Sequence, residues 1–314
     1  MFIRMALKRL AYFLCVLCFS SASSAFAEDV WSEPFQGVRY LHRTTTEPKT
    51  WDMHLVFIDL TAPGIRITST QPGDRSMTNP RWAQKAGVQV AINGGMGGWD
   101  RAQTPRVQRP GGPTVADGVV WPDPFHEESE KNGAFAEGGG RLEFYRHNDI
   151  VKVEPWMHTL ITGTAILVRE GKAWDDWGDP ERMNPRHPRT AIGATQDHKT
   201  LILLVVDGRQ KHSVGMTGKD MQKVFLEFKA WDAINFDGGG STCMTIEGLG
   251  VVNKPSDGQP RHNYNHLGFF AQPKPKEAKG SEEKPKEADG VRVKPEGGRA
   301  DAGAVGDPKE AKGR

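Results

Sequence analysis

The residues best suited to chemistry follow a short apolar run in the final third of the chain, within the stretch Ala233–Thr242. Asp237 is followed there by three glycines and then by Ser241. An apolar run bounded by turn residues indicates a buried strand, and consecutive glycines leave room for close approach to the main chain. A tight turn with a solvated aspartate is the competing interpretation, because glycine-rich turns are common.

Two other predicted strands end in a similar way, and a further one begins with an arginine. Val88–Asn93 ends in an amide before two glycines, and Leu201–Asp207 ends in a carboxylate before Gly208 and Arg209. Arginine side chains and glycine-loop amides suit phosphate oxygens, whereas paired carboxylates suit glycosidic chemistry. If these strand ends meet, Asp237 and Asp207 are the expected catalytic residues of a site for a phosphorylated sugar. The expected substrate-binding residues are Asn93, Gly94, Arg189, Arg209, Gly238, Gly239, Gly240 and Ser241.

Other kinds of site have weaker support in the spacing. The ten histidines show no metal-binding pattern such as H-E-x-x-H, so no metal ligand and no cofactor are predicted. A Ca²⁺ or Mg²⁺ ion shared by Asp207, Asp237 and Asn93 is an alternative, because hard cations prefer oxygen ligands. Ser241 lacks the G-x-S-x-G context of a hydrolase nucleophile. Cys243 has no base beside it and is expected to be a buried, inert thiol.

The elements that must hold these residues are mostly strands. An antiparallel meander is predicted by three adjacent strands, Val38–His42, Trp51–Leu60 and Ile65–Thr70. The continuously apolar run Leu201–Val206 predicts a central strand covered on both faces. A helix is expected after Thr217, where Asp220 completes a capping box. The expected fold class is therefore α+β, or mixed α/β: a single domain with a mixed, largely antiparallel sheet and a few packed helices.

The two ends of the chain differ from its body. Residues 1–27 combine a basic start, an apolar run and an Ala-Phe-Ala cleavage site, which predicts a secretory signal peptide; an uncleaved anchor is the alternative. Residues 272–314 contain no aromatic residue and are rich in Lys, Glu, Pro and Gly, so a disordered tail is expected. Residues 28–271 are long enough for one catalytic domain. We expect a secreted or periplasmic protein whose tail tethers it to the cell envelope.

The charge and cysteine content bear on two properties, nucleic-acid binding and disulfide formation. The formal charge is +2 for the whole chain and −1 without the leader, which carries three basic residues and no acids. A near-neutral body without a basic cluster offers no electrostatic case for nucleic-acid binding. Two of the three cysteines lie in the leader, so the exported form keeps one cysteine and no internal disulfide. The partner that the strand-end residues indicate is therefore a phosphate-bearing sugar or glycan.

Five motifs follow one another along the chain: Ala91–Gly95, Pro188–Gly193, Val206–Arg209, Asn235–Thr242 and Asn253–Gly258. Together they resemble the phosphodiester glycosidase family, and the resemblance spans roughly Leu55 to Phe270. It implies a mixed α/β catalytic domain that hydrolyses sugar phosphodiesters at the glycosidic C1–O bond.

Under this hypothesis Arg189 and Arg209 hold the phosphate, helped by the glycine amides after Asp237. Asp237 is the nucleophile or general base, Asp207 its partner or an orienting group, and Asn93 holds a sugar hydroxyl. Two alternatives stay open: a non-catalytic protein that binds envelope polysaccharide, and a metal-dependent phosphodiesterase that cuts the P–O bond.

Overall fold

The computed structural model describes residues 27–100, 107–122, 132–146 and 153–275. The expected signal peptide, apart from Ala27, lies outside these ranges, and so do residues 276–314 of the expected tail. Within the described ranges, no helix is both long enough and apolar enough to cross a membrane.

Strands make up most of the described part of the chain. In order they are β1 (Glu28–Phe35), β2 (Val38–Thr45), β3 (Trp51–Asp59), β4 (Arg66–Ser69), β5 (Met77–Thr78), β6 (Val90–Asn93), β7 (Gly97–Asp100), β8 (Val107–Pro110), β9 (Val115–Ala116), β10 (Val119–Val120), β11 (Asn132–Gly138), β12 (Arg141–Arg146), β13 (Thr159–Arg169), β14 (Lys172–Ala173), β15 (Arg189–Thr195), β16 (Thr200–Val206), β17 (Ala230–Asn235), β18 (Met244–Ile246), β19 (Gly250–Val251), β20 (His262–Asn263) and β21 (His266–Phe270). The α-helices are α1 (Asn79–Ala86), α2 (Pro180–Met183) and α3 (Gly218–Glu227).

Two sheets form the centre of the domain. The larger has the order β1-β2-β3-β16-β15-β17-β13-β11-β12 along its main path, and the smaller has the order β19-β18-β6-β21-β4. Every pairing between described strands is antiparallel. The prediction of a single, largely antiparallel domain with few helices is confirmed, and no parallel pair accompanies it in the described ranges.

The core explains why β16 is apolar throughout. Its residues Leu201, Leu203 and Val205 pack in the cluster that also contains residues of the smaller sheet. The alternate residues from Ile202 to Val206 pack in a second cluster, which includes side chains of α3. Because successive side chains of a strand point to opposite faces, β16 is apolar at each buried position from Leu201 to Val206. The prediction of a central strand covered on both faces is confirmed.

Helix α3 begins where the sequence predicts. The Asp220 N–H donates to the Thr217 hydroxyl at 3.1 Å, and the Thr217 N–H donates to the Asp220 carboxylate at 3.0 Å. This reciprocal capping box satisfies two N–H groups that a helix start leaves without partners. Met221 and Phe225 are fully buried on its sheet-facing side, and each contributes about 1.5–3 kcal/mol through burial of apolar surface.

The predicted meander is correct for two of its three strands. β2 pairs with β3 in the larger sheet, whereas β4 pairs with β21 in the smaller one. The chain crosses between the sheets after Pro63 at Gly64, whose φ of 82° favours glycine. Turn residues in the sequence therefore located the chain reversal correctly, but they carried no information about which sheet the next strand joins.

Candidate active site

The predicted strand ends meet at one edge of the larger sheet. β15 is antiparallel to both β16 and β17, with Arg189 opposite Val206 and Ala191 opposite Asn235. The start of β15 therefore lies beside the last residues of β16 and β17. β6 reaches the same place from the smaller sheet, because its last residue, Asn93, bonds Asp237, the second residue after β17.

Asn93 is fully buried and connects three segments. Its Nδ2 donates to the Asp237 main-chain carbonyl at 2.7 Å. Its Oδ1 accepts from the Thr190 hydroxyl at 2.7 Å and from the Cys243 N–H at 3.1 Å. The Gly94 carbonyl accepts from the Asp237 N–H at 3.1 Å. Asn93 and Gly94 thus hold the main chain of Asp237 in place.

The Asp237 carboxyl is half-buried, and its Oδ1 accepts a hydrogen bond from the Gly238 N–H at 2.9 Å. Burial raises the pKa of Asp237 above its ordinary value. The hydrogen bonds from Ser241 and Gly238 lower that pKa in part, and the positive charges of Arg261 and Arg182 also lower it. A carboxyl group whose pKa is raised in this way is suited to proton transfer in a catalytic site.

The glycines after Asp237 let arginines approach the turn. Gly239 has a φ of 62°, a left-handed conformation that glycine adopts readily. A side chain at Gly239 would lie 3.2 Å from the guanidinium nitrogens of Arg209, and a side chain at Gly240 would collide with Arg261. The triple glycine therefore places two cations directly against the main chain beside Asp237.

The first N–H groups of this turn are engaged within the protein. The Gly238 N–H donates to the Asp237 carboxylate and the Gly239 N–H donates to the Pro188 carbonyl, both at 2.9 Å. The predicted contribution of these amides to phosphate binding thus competes with bonds that shape the turn. Ser241, which is also predicted to bind substrate, is a buried residue of this turn.

Three arginines around the turn have exposed side chains: Arg182, Arg209 and Arg261. Arg209 donates to His187 Nδ1 from Nε at 3.4 Å and has a φ of 59°, which is uncommon for a residue with a side chain. Arg261 donates to the Asp257 carboxylate at 2.6 and 2.9 Å. Arg182 and Arg261 also pair with Asp179 and Asp257, and the three guanidinium groups together offer hydrogen-bond donors that suit a phosphate.

Arg189 differs from these three because its side chain is buried. Its guanidinium donates to the main-chain carbonyls of Met216 at 2.9 Å, Pro185 at 2.8 Å and Arg182 at 3.0 Å. Burial lowers the pKa of Arg189 to about 10, and the charges of Arg209 and Arg182 add to this effect. The sequence predicts phosphate contact for Arg189, whereas its observed bonds fix the segment that carries Arg182.

Asp207 lies at the same sheet edge, but its carboxylate is directed elsewhere. It is 1% exposed and accepts from Asn253 Nδ2 at 3.1 Å, the Lys254 N–H at 2.9 Å and His212 Nε2 at 3.0 Å. None of these three donors belongs to the turn after Asp237. Burial raises the pKa of Asp207, and these hydrogen bonds oppose the rise. The geometry therefore gives Asp207 the contacts of an orienting group.

A cluster of histidines and aspartates extends from Asp207 across β3 and β2. The Asp52 carboxylate lies 2.7 Å from His42 Nε2, 3.4 Å from His54 Nε2 and 3.9 Å from His212 Nε2. These are the described residues whose ligand atoms are close enough to hold a metal ion. The sequence spacing did not identify them, because strand pairing brings them together.

Several site residues were not predicted: Thr190, Asn253, His187, Arg182 and Arg261. Asn253 donates to Asp207 and to the Thr242 carbonyl, and accepts from the Met244 N–H at 2.9 Å. Its place in the motif Asn253–Gly258 was a usable signal. Cys243 is buried, and burial raises the pKa of its thiol to about 12, in agreement with the predicted inert thiol.

Comparison with known proteins gives the site a family context. A family model described as phosphodiester glycosidase matches residues 86–270. The SPbeta prophage-derived uncharacterized protein YomE of Bacillus subtilis (strain 168) is 42% identical over 157 residues, which are 47% of this chain and 23% of that protein. The chain thus spans less than a quarter of the length of that relative.

Two solved structures show the same fold. The zebrafish N-acetylglucosamine-1-phosphodiester alpha-N-acetylglucosaminidase catalytic domain, auto-inhibited by its pro-peptide, has a TM-score of 0.60 at 20% identity, covering 78% of this chain and 88% of that chain. A hypothetical protein from Synechocystis has a TM-score of 0.57 at 13% identity, covering 75% and 62% respectively. The family match supports a glycosidase-type function. Because it covers more than half of the sequence and contains Asn93, Arg189, Asp207 and Asp237, the chain belongs to the phosphodiester glycosidase family.

Proposed function

We propose that this protein is an exported hydrolase that cleaves the glycosidic C1–O bond of a sugar-1-phosphodiester in a cell-envelope or extracellular glycan. One observation carries the proposal: the Asp237 carboxyl lies beside a glycine turn against which exposed arginines are packed. This arrangement offers one group for the anomeric centre and several for the phosphate. The family match supports the same reaction class.

Asp237 and the neighbouring arginines supply most of what cleavage at C1–O requires. Cleavage at C1–O releases a phosphate monoester, whose second pKa is about 6, so the leaving group needs little protonation. The enzyme must then stabilise the oxocarbenium-like centre and the negative charge of the departing phosphate. Ionised Asp237 serves the first task, as nucleophile or as base for the attacking water. Arg209 and Arg261 serve the second.

The remaining predicted residues support this pair of tasks. Asn93 and Gly94 fix the main chain of Asp237 through the bonds described above. Arg189 holds the main chain beside Arg182, and Asp207 holds the segment that begins at Asn253. In this proposal these four residues position the groups that touch the substrate.

The test is identification of the products from a synthetic sugar-1-phosphodiester. Free sugar plus a phosphomonoester is expected, and Asp237→Asn is expected to lower kcat by about 10³-fold or more, as for loss of an acid–base group. Asp232→Asn is the matched control, because Asp232 lies on β17, the strand just before Asp237, and its pKa is also raised by burial. Wild-type turnover in a folded Asp237→Asn protein would contradict the role of Asp237.

The same experiment separates the two alternatives. Sugar phosphate plus an alcohol as products would indicate P–O cleavage by a phosphodiesterase. Saturable glycan binding without release of any product, at every metal concentration, would indicate a binding protein. Export is tested by N-terminal sequencing of the mature protein, where cleavage after Ala27 is expected.

A further inference from the structure

Two histidines and an aspartate converge on one face of the β2–β3 pair. His42 lies directly opposite His54 in the strand register, and their rings stack with centroids 4.7 Å apart. Asp52, two residues before His54, points to the same face because side chains alternate along a strand. Its Oδ1 lies 2.7 Å from His42 Nε2 and 3.4 Å from His54 Nε2.

His54 has an unsatisfied nitrogen that faces this cluster. Its side chain is 3% exposed, and its Nε2 has no hydrogen-bond partner. Such buried, unpaired polar atoms are rare and call for a physical explanation. The other ring nitrogen, Nδ1, lies 2.7 Å from the Tyr40 hydroxyl. A metal-bound histidine is usually oriented in this way, with its second nitrogen held by a neighbouring polar group.

The other oxygen of Asp52 connects this group to the active-site edge. Asp52 Oδ2 lies 3.9 Å from His212 Nε2, which in turn lies 3.0 Å from Asp207 Oδ2. Two overlapping sets of possible ligands thus share Asp52: His42 with His54, and Asp207 with His212. Among these residues the Nε2 of His54 makes one contact, with Asp52 Oδ1 at 3.4 Å, and no hydrogen bond.

We infer that His42, Asp52 and His54 bind one divalent transition-metal ion of the zinc class. Imidazole with carboxylate suits such ions, whereas Ca²⁺ and Mg²⁺ prefer sets of oxygen ligands. Ligand bonds of about 2.0–2.2 Å around a tetrahedral ion separate neighbouring ligand atoms by roughly 3.3 Å. The 3.4 Å between His54 Nε2 and Asp52 Oδ1 fits this spacing. The 2.7 Å contact between His42 Nε2 and Asp52 Oδ1 must open by about 0.6 Å.

The surroundings allow an ion to enter and connect it to the catalytic turn. The His42 side chain is 37% exposed, so solvent reaches the cluster, and three protein ligands leave a position for water. Asp207, joined to Asp52 through His212, accepts from Asn253, which also bonds the Thr242 carbonyl. The ion thus stabilises the segment that follows the glycine turn, which is a property beyond the proposed hydrolysis.

The test uses the full chain, stripped with a chelator and then titrated with Co²⁺ or Zn²⁺ in the absence of substrate. One Co²⁺ per chain is expected, with visible d–d absorption that Zn²⁺ abolishes and a rise in Tm on loading. His54→Ala, Asp52→Asn and His42→Ala are each expected to weaken binding by at least about tenfold. His42→Ala removes a partly exposed ligand, so it keeps the test valid if His54→Ala does not fold.

His158→Ala is the matched control, because His158 is exposed and faces a carboxylate, Asp117, at 3.9 Å outside the cluster. It is expected to bind Co²⁺ as the parent does. The inference is overturned if the parent and His42→Ala bind Co²⁺ equally, or if neither binds it saturably. Because no substrate is present, that result leaves the proposed hydrolysis unaffected.

Discussion

The Asn93 side chain donates a hydrogen bond of 2.7 Å to the main-chain carbonyl of Asp237, and so joins the ends of strands from two different sheets. The same amide accepts from Thr190 on β15, the strand of the larger sheet that pairs with β17. The position of the candidate catalytic carboxyl is therefore set by a buried polar contact across the core. In a low-dielectric interior such contacts are costly to leave unmade.

Asn93→Ala is expected to destabilise the protein by roughly 3 kcal/mol, because it leaves the Asp237 carbonyl and the Cys243 N–H without their partner. Thr190→Val removes one donor and is expected to cost about 1 kcal/mol. Urea unfolding measures both effects. Thr190→Ser keeps the hydroxyl and serves as the control. Equal losses for the Val and Ser variants would contradict the importance of the Thr190 hydrogen bond.

Arg209→Gly is expected to raise stability and lower activity at the same time. Arg209 has a φ of 59°, and relief of this conformation by glycine is worth roughly 1 kcal/mol. Loss of the guanidinium is expected to raise KM for a phosphodiester substrate by about tenfold or more. Thermal unfolding and steady-state kinetics measure the two effects separately.

Lys229→Gly is the control for this pair of effects. Lys229 also has a positive φ, 62°, just after α3, and its replacement is expected to stabilise the protein with unchanged kinetics. If Arg209→Gly retains the parental KM and kcat, Arg209 has no role in substrate binding.

Arg189→Lys is expected to cost about 3 kcal/mol of stability. A lysine ammonium cannot reproduce the planar fork that bonds the carbonyls of Met216 and Pro185. Arg141→Lys, at an exposed position, is expected to change stability by less than about 0.5 kcal/mol. An Arg189→Lys protein with parental stability and a raised KM would instead assign this guanidinium to the substrate, as the sequence predicts.

The pH dependence of stability is expected to change in Asp237→Asn. Burial raises the pKa of Asp237, so the folded state binds its proton more tightly than the unfolded state does. Stability is therefore lost as pH rises from the unfolded-state pKa through the folded-state pKa, and the loss is complete above both. The variant lacks this dependence and should gain stability relative to the parent across that window.

Thermal unfolding from about pH 3 to pH 8 measures this difference, since the window begins at the ordinary aspartate pKa of about 3.9. Asp232→Asn should behave in the same way, because burial also raises the pKa of Asp232. Activity distinguishes the two variants, and only Asp237→Asn is expected to lose it. A stability difference that shrinks with rising pH would show that the Asp237 carboxylate is net stabilised in the fold.

Individual helices and strands, such as α3 and β16, were predictable because the sequence patterns that indicate them involve only neighbouring residues. The capping box of Thr217 and Asp220 and the apolar run of β16 depend on neighbouring residues, and both form as the sequence predicts. The placement of Asp237 after a core strand was visible for the same reason. Local patterns also indicated that several strands end in polar, glycine-rich turns.

Side-chain direction was not predictable, because it depends on which strands become neighbours. Arg189 and Asp207 lie at the expected sheet edge, but their side-chain hydrogen bonds go to partners distant in sequence, such as Met216 and Asn253. The cluster around Asp52 forms for a similar reason. Strand register alone sets His42 opposite His54, and no spacing along the chain encodes that register. The sequence by itself thus determined which residues end the core strands. The tertiary structure decided which of them face the turn at Asp237, because only packing in the folded chain sets the contacts of a buried polar group.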